Sequence, residues 1–515
     1  MRTRSATFVF CVVCLLFRQV DAGPARAAEE IVIGSKKFTE SVILGDIAAK
    51  LCASTGATPV LRQELGGTRL LWSALLAGEI DVYPEYAGTL AQEILAGDDV
   101  SNEEALKRAL AARGLKKSEP LGFRDAYAIG MRREAAERLG VATISDLASH
   151  PDLRFGFSDE FLNRKDGWPA LRATYGLSGA QLRGLDHDIA YKGLAEEKID
   201  IVDLYTTDPE IDRYDLKLLK DDRGVFSDNE AILLYRAVVA DKAPKALAAL
   251  LKMQGRIDEA AMIAMNKAVK IERRSEDETA ARFVQSTFGI LDKARPESLA
   301  SQLLARTLEH LRLVGLSLGA AIITAVPLGV VAYRRPLLGQ VILAVASVLQ
   351  TIPSLALLVF MLPLLGVGPA PAIAALFLYS LLPIIRNTAS GLVSIPASIR
   401  NSAIALGLAP MRRLLLVELP IASPVVLAGI KTAAVINVGT ATLGALIGAG
   451  GYGQPIFTGV RLDDFGLILQ GAIPAAALAL LVEGAFEYAE RRLVPRGLRL
   501  PQGSAAAVAA VPEPK

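Results

Sequence analysis

Long apolar runs separated by arginines fill the second half of this sequence and restrict that half to one kind of fold. Residues 301–500 hold 14 Lys+Arg and 7 Asp+Glu, nearly all of them between the runs. Lipid offers the backbone no hydrogen-bond partner, so runs of this length must be helices that pair every N–H and C=O internally. Spans are predicted near Leu311–Tyr333, Gly339–Met361, Ala370–Ile385, Val425–Ala449 and Phe465–Ala489, with kinks at Pro327, Pro353, Pro383 and Pro474. The third is short for a span and could begin earlier, around Pro363.

The first half reads differently. Residues 29–300 carry 37 Lys+Arg and 45 Asp+Glu, the balance of a soluble, mildly acidic protein. The near-neutral total, 56 basic against 54 acidic residues, excludes a polybasic nucleic-acid binder. Ile31–Ile33 reads as a strand, and Thr39–Leu51 as a helix with Ile43, Ile47 and Leu51 on one face. Asp81–Tyr83, Asp125–Met131, Leu153–Gly156 and Ile199–Leu204 repeat the strand pattern, with helical stretches such as Glu103–Arg113 and Lys245–Met253 between them. This alternation predicts parallel sheets flanked by helices. About 260 residues suit two such lobes around a cleft, the architecture of a receptor that closes on its ligand by a hinge.

Residues 1–28 read as an export signal: Arg2 and Arg4, the apolar run Ala6–Phe17, then an Ala25-Arg26-Ala27 cleavage pattern. Residues 29–295 are then an extracytoplasmic domain, 296–498 a membrane domain of about five helices, and 499–515 a disordered tail. Five spans with the first N-terminus outside place Arg334-Arg335, the loop 386–424 and the segment after Ala489 in the cytoplasm. Those segments hold ten arginines, whereas the outside loops offer Arg461 opposed by Asp463 and Asp464. That is the positive-inside pattern.

The sequence contains no Gly-Lys dipeptide, so it carries no phosphate-cradling loop of its own. No GxSxG, HExxH or paired-cysteine motif occurs, and three scattered histidines (His150, His187, His310) make a poor metal site. The chain is not expected to be an enzyme and no cofactor is expected.

The loop 386–424 contains Asn401-Ser402-Ala403-Ile404-Ala405-Leu406-Gly407, nine residues, then Val417-Glu418-Leu419-Pro420. It resembles the EAA loop of ABC-import permeases, a short helix, a glycine turn and a second short helix ending in proline. Asn401-Ser402 stands where that family commonly has Glu-Ala. The resemblance implies that Asn401, Ala403, Gly407, Val417, Leu419 and Pro420 couple the spans to a separate ATPase chain. The segments Gln350–Ala356, Leu382–Thr388 and Ile436–Thr442 are similar to permeases of osmoprotectant ABC importers. The first half resembles their binding proteins. The fold implied is a two-lobed α/β periplasmic-binding-protein fold followed by an all-α polytopic membrane domain of ABC-importer permease type.

The same resemblance assigns a ligand site. Gly34–Glu40 supplies Lys36, a carboxylate contact; Tyr83–Thr89 supplies the cage tyrosine Tyr86 and the hydroxyl of Thr89. Asp125-Ala126-Tyr127 supplies a backbone carbonyl at Asp125 and a second cage tyrosine, Tyr127. Arg164 in Phe161–Gly167 clamps the carboxylate, and Tyr205 is the third cage tyrosine. Asn229 stands where relatives often have a fourth. The chemistry is coherent, because a trimethylammonium group has no N–H to donate and is held by ring faces at ~0.5–2 kcal/mol each. The carboxylate end of such a ligand suits a forked guanidinium and a point-charge ammonium.

The partners implied are an ABC ATPase in trans, a second copy of the permease domain, a small quaternary-ammonium ligand and membrane lipid, with no nucleic acid. Glycine betaine, choline and carnitine are the expected class. An ergothioneine-like betaine, an amino-acid derivative, or a non-transporting membrane sensor are the alternatives.

Overall fold

The computed structural model describes residues 30–98, 100, 102–177, 181–226, 229–291 and 298–494. The export-signal segment 1–28 and the tail 499–515 lie outside the described residues. The chain divides into two compact units near residue 296.

The first unit contains two five-stranded sheets. The first has the order β2-β1-β3-β10-β4, where β1 is Glu30–Gly34, β2 Thr58–Arg62, β3 Val82–Tyr86, β4 Leu115–Lys117 and β10 Ala231–Arg236. The second has the order β7-β6-β8-β5-β9, from β5 Tyr127–Arg132, β6 Phe155–Ser158, β7 Leu182–Leu185, β8 Ile201–Tyr205 and β9 Leu216–Leu219. The two sheets share one plan. In each, four strands run parallel and one runs against them: β10 against β3 and β4, β5 against β8 and β9. The expectation of purely parallel sheets is therefore corrected. The reason is topological: β5 and β10 are the first strands after the chain crosses between lobes, so each enters its sheet from the hinge end. The two crossings pair with each other, Asp125 N–H donating to the Asn229 carbonyl at 3.0 Å and Ala231 N–H to Phe123 at 3.2 Å.

This arrangement brings the carboxyl ends of β1, β3, β6 and β8 and the amino ends of β5 and β10 to one edge. In open α/β sheets that edge is where ligands bind. The helix Thr39–Ala53 is buried on nearly every face, not on one. Helices Pro244–Leu250, Glu259–Lys270 and Glu276–Phe288 close over the side away from the sheet. The second lobe is built on an aromatic core in which Phe157 packs on Phe161 at 5.0 Å and on Trp168 at 5.4 Å.

The second unit is helical. Leu299–Arg334, Pro369–Val393, Pro410–Ile447 and Phe465–Arg492 are each long and apolar enough to cross a membrane. The predicted second span, Gly339–Met361, is instead two helices, Pro336–Thr351 and Ser354–Leu365, bent by 100°. Among the described residues the count is four spans, or five if that pair is one. The break falls at Pro353, and the Tyr379 hydroxyl donates to the Ile352 carbonyl that the break frees. Pro327, Pro383 and Pro474 sit inside unbroken helices. The segment predicted to be short, Ala370–Ile385, runs from Pro369 to Val393 and is 72% buried, so it is the central helix of the bundle. It packs on Leu299–Arg334 and Leu419–Thr440. The loop predicted over 386–424 shrinks at both ends accordingly.

Candidate functional site

Each predicted ligand residue stands at the edge just described, and most lie within hydrogen-bond reach of another. The structure gathers Thr89, Tyr127, Arg164 and Asn229 around one small cavity, which Gln92, Asp166 and Phe226 also line. Thr89 follows β3 in the first lobe, and Arg164 ends the helix Asp159–Asn163 in the second. The Arg164 Nη2 donates to the Thr89 hydroxyl at 3.2 Å, and the Thr89 N–H donates to the Asn229 side-chain oxygen at 3.2 Å. Asn229 thus serves as a cap on a backbone donor and supplies no ring face.

Tyr127 and Tyr205 face each other across the β5–β8 pair, as their register requires. Their rings stack with centroids 5.0 Å apart, and the Tyr205 hydroxyl donates to that of Tyr127 at 3.4 Å. The Arg164 guanidinium lies 5.3 Å from the Tyr127 ring centre. Its Nε donates to Asp166 at 2.8 Å. Burial alone would push the Arg164 pKa down; Asp166 and Tyr127 outweigh it and hold the group protonated.

Three predicted residues lie beside this cavity in a separate polar network. Lys36, predicted to meet a ligand carboxylate, is 1% exposed and ion-paired with Glu85 of β3. A buried ammonium requires a counter-charge, and the parallel β1–β3 pairing supplies Glu85 from within the protein. Tyr86 donates its hydroxyl to Glu40 at 2.6 Å. Asp125, assigned for its carbonyl, also buries its carboxyl, 3.0 Å from the Thr207 hydroxyl.

Residues missed at the level of sequence complete the surroundings. His187 packs on Tyr205 with ring centres 4.8 Å apart and contacts Asp208 through Nε2 at 2.9 Å. Burial would lower its pKa, but Asp208 raises it to about 9. Asp208 also accepts from the Tyr191 hydroxyl at 2.6 Å and the Tyr205 N–H at 3.0 Å, so one carboxylate fixes both the backbone of Tyr205 and the ring beside it. Asp166, two residues after Arg164, had a signal in its spacing; His187 had none.

In the second unit, Asn401 and Ala403 lie on the helix Ala397–Ala405, which Gly407 ends with φ of +77°. Asn401 is exposed and Ala403 buried. Ile404, Leu406, Met411, Leu415 and Leu416 expose apolar side chains along this segment. Val417 and Leu419 are half-buried. Pro420 does not end a second short helix as predicted. It stands in the first turn of Leu419–Thr440, preceded by a π-helical turn, Leu414–Glu418, whose wider hydrogen-bond spacing accommodates a residue without an N–H. Glu418 is buried and braces the segment from inside, 3.0 Å from Arg413 Nε and 3.6 Å from Arg400 Nε.

Residues 29–286 match the family described as the substrate binding domain of ABC-type glycine betaine transport system. Residues 319–495 match the binding-protein-dependent transport system inner membrane component. The chain is 42% identical over 198 residues to the choline transport system permease protein OpuBB of Bacillus subtilis, covering 38% of this chain and 91% of that one. It is 31% identical over 291 residues to the ergothioneine transport permease/ergothioneine binding protein EgtU of Helicobacter pylori, covering 55% of this chain and 52% of that one. A crystal structure of a glycine betaine/carnitine/choline ABC transporter shares 25% identity, covering 50% of this chain and 98% of that one, with a TM-score of 0.43. The protein is a multi-pass inner-membrane transport subunit. It belongs to the family of ABC-type glycine betaine transport substrate-binding domains, joined here in one polypeptide to its inner-membrane permease component.

Proposed function

We propose that this chain captures a quaternary-ammonium compatible solute, such as glycine betaine, choline or carnitine, outside the cell and passes it to its own permease half. The observation that carries this reading is the stacked Tyr127–Tyr205 pair beside Arg164 and Thr89, ring faces for a cation next to a guanidinium and a hydroxyl for a carboxylate. Tyr86, Asp125 and Lys36 stand behind this group, and Asn229 at its rim. ATP is hydrolysed on a separate chain that docks on Asn401, Ala403, Gly407, Val417, Leu419 and Pro420. Two copies of the permease half, about 296–498, pair in lipid, so that each assembly tethers two receptors, about 29–295, at the membrane. Residues 1–28 direct export and place the receptor on the extracytoplasmic side. Tethering raises the receptor concentration at the permease without new contacts.

A betaine carrying a further ring is the second reading. The fused relative from Helicobacter pylori and the loss of a ring at Asn229 favour it. Calorimetric titration of the full-length protein in nanodiscs with glycine betaine, choline, carnitine and ergothioneine separates these. Binding of one or more, weakened in Tyr127→Ala, supports the cage; heat from none of the four removes the assignment.

A further inference from the structure

The polar network beside the cavity has one hydrogen too few. The Thr207 hydroxyl lies 2.7 Å from Glu40 Oε2 and 3.0 Å from Asp125 Oδ1. A hydroxyl has one proton and can donate to one of them only. Glu40 is supplied as an anion should be: Tyr86 donates to one oxygen at 2.6 Å, and Asn266 Nδ2 joins Thr207 on the other at 3.0 Å. With the Thr207 proton directed at Glu40, Asp125 faces a hydroxyl lone pair. That contact is attractive only when Asp125 itself donates. Exchanging the roles of the two carboxyls leaves the count unchanged.

The surroundings supply no alternative. Among the described residues neither Glu40 nor Asp125 has an ion pair. The nearby cations are committed elsewhere, His187 to Asp208 and Lys270 to Asp188, Asp208 and Glu210. Asp208 repels both carboxyls, and His187 offsets part of that repulsion at Asp125. Burial raises both carboxyls, Asp125 well above the usual range, with Glu40 and Asp208 adding to it.

The three groups come from different parts of the receptor. Glu40, Tyr86 and Asn266 belong to the first lobe, Thr207 to the second, and Asp125 to a crossing between them. We propose that Asp125 and Glu40 share one proton, held mainly on Asp125 and donated to Thr207, and that closing the lobes takes this proton up. In an open cleft Asp125 returns to water and to an ordinary carboxylate pKa of about 3.9. The closed state binds the proton more tightly, so closure is favoured at low pH. It weakens as pH rises from that open-state value toward the raised one. Across the window, affinity for any ligand that closes the lobes falls about tenfold per pH unit.

The probe rests on the proposed function; the proton does not. Glycine betaine has no group that titrates near neutrality. Titrating it calorimetrically into the full-length protein, in two buffers of different ionisation enthalpy, counts protons. The expected result is about one proton taken up per ligand in the wild type and none in Asp125→Asn. The amide of that variant still donates to Thr207, so the fold is preserved. Binding with no proton uptake in the wild type overturns the proposal. If no quaternary ligand binds, the assigned function falls, and the infrared band of a protonated carboxyl at neutral pH decides instead. Its presence in the wild type and loss in Asp125→Asn support the proton, and its absence from the wild type overturns it.

Discussion

Lys270→Met tests whether the lobes are held together by one cation. Lys270 ends the helix Glu259–Lys270, which packs on Thr39–Ala53 in the first lobe. Its Nζ lies 3.0 Å from Asp188, 3.0 Å from Glu210 and 3.5 Å from Asp208, all in the second lobe, and its side chain is 9% exposed. Methionine keeps the length and the apolar stem and removes only the charge. Three carboxylates then share a buried interface with His187 as their one remaining cation among the described residues. Breaking a buried ion pair by deleting one partner costs about 3–5 kcal/mol. Here that cost falls on the closed state alone, because opening returns the acids to water. Ligand affinity is predicted to fall by roughly two to four orders of magnitude at a tenfold per 1.4 kcal/mol, and Lys270→Arg recovers most of the loss. Titration of the full-length protein with glycine betaine and choline measures the drop, and a melting curve without ligand checks that both lobes remain folded. An affinity within about threefold of wild type (less than 1 kcal/mol) would falsify the latch.

The other predictions concern single groups. Tyr127→Ala removes one ring face and is expected to weaken quaternary-ammonium binding by up to about 30-fold, the upper end of a cation–π contact, as read by calorimetry. Arg164→Lys keeps the charge but loses the fork that meets Asp166 and Thr89. It should reduce affinity for glycine betaine more than for choline, which has no carboxylate, and equal losses would count against a clamping role. His187 has its pKa raised from 6.5 to about 9, so its stabilising contribution is complete below 6.5 and lost as pH climbs through 9. Chemical denaturation should show stability declining over that interval by up to about 3 kcal/mol, and His187→Gln should abolish the decline. Glu418→Gln withdraws the charge that Arg400 and Arg413 share. Ligand-stimulated ATP hydrolysis in reconstituted vesicles should drop while ligand affinity is unchanged, and unaltered stimulation would remove Glu418 from the coupling segment.

Much of the fold was legible because it follows from periodicity. Runs of 20 apolar residues must be helices, and strands alternating with helices must form sheets. What escaped were the properties that depend on where the chain returns. The antiparallel β5 read as an ordinary strand and β10 was not singled out, and only the double crossing between lobes reverses them. The central membrane helix, Pro369–Val393, was cut short because Arg386 and Asn387 look like loop. In the bundle, Asn387 donates to the Pro383 carbonyl at 2.8 Å and the helix continues through both. The bend at Pro353 exceeds a kink because the bundle contains Tyr379 to satisfy the exposed Ile352 carbonyl, a partner 27 residues away in sequence that local patterns do not reveal.

The site divides along the same line. Motif spacing brought Thr89, Tyr127 and Asn229 to one cavity because they stand at or next to strand ends, which share an edge, and Arg164 joins them from the end of the short helix that follows β6. Motifs carry no cross-strand register, so they do not show partners within the protein. Lys36 looked free until β1 and β3 were paired and Glu85 stood beside it. His187 and Lys270 had no motif at all, yet they balance the acids behind Tyr205. That balance changes what the cavity selects. If Lys36 is neutralised from within and Arg164 is already paired with Asp166, the receptor offers a ligand carboxylate less positive charge than the motifs suggest. Discrimination between a zwitterion and a simple cation then rests on how far Arg164 can share its fork between Asp166 and the ligand. Measured affinities for glycine betaine and choline at the same pH, in wild type and Arg164→Lys, give that partition directly.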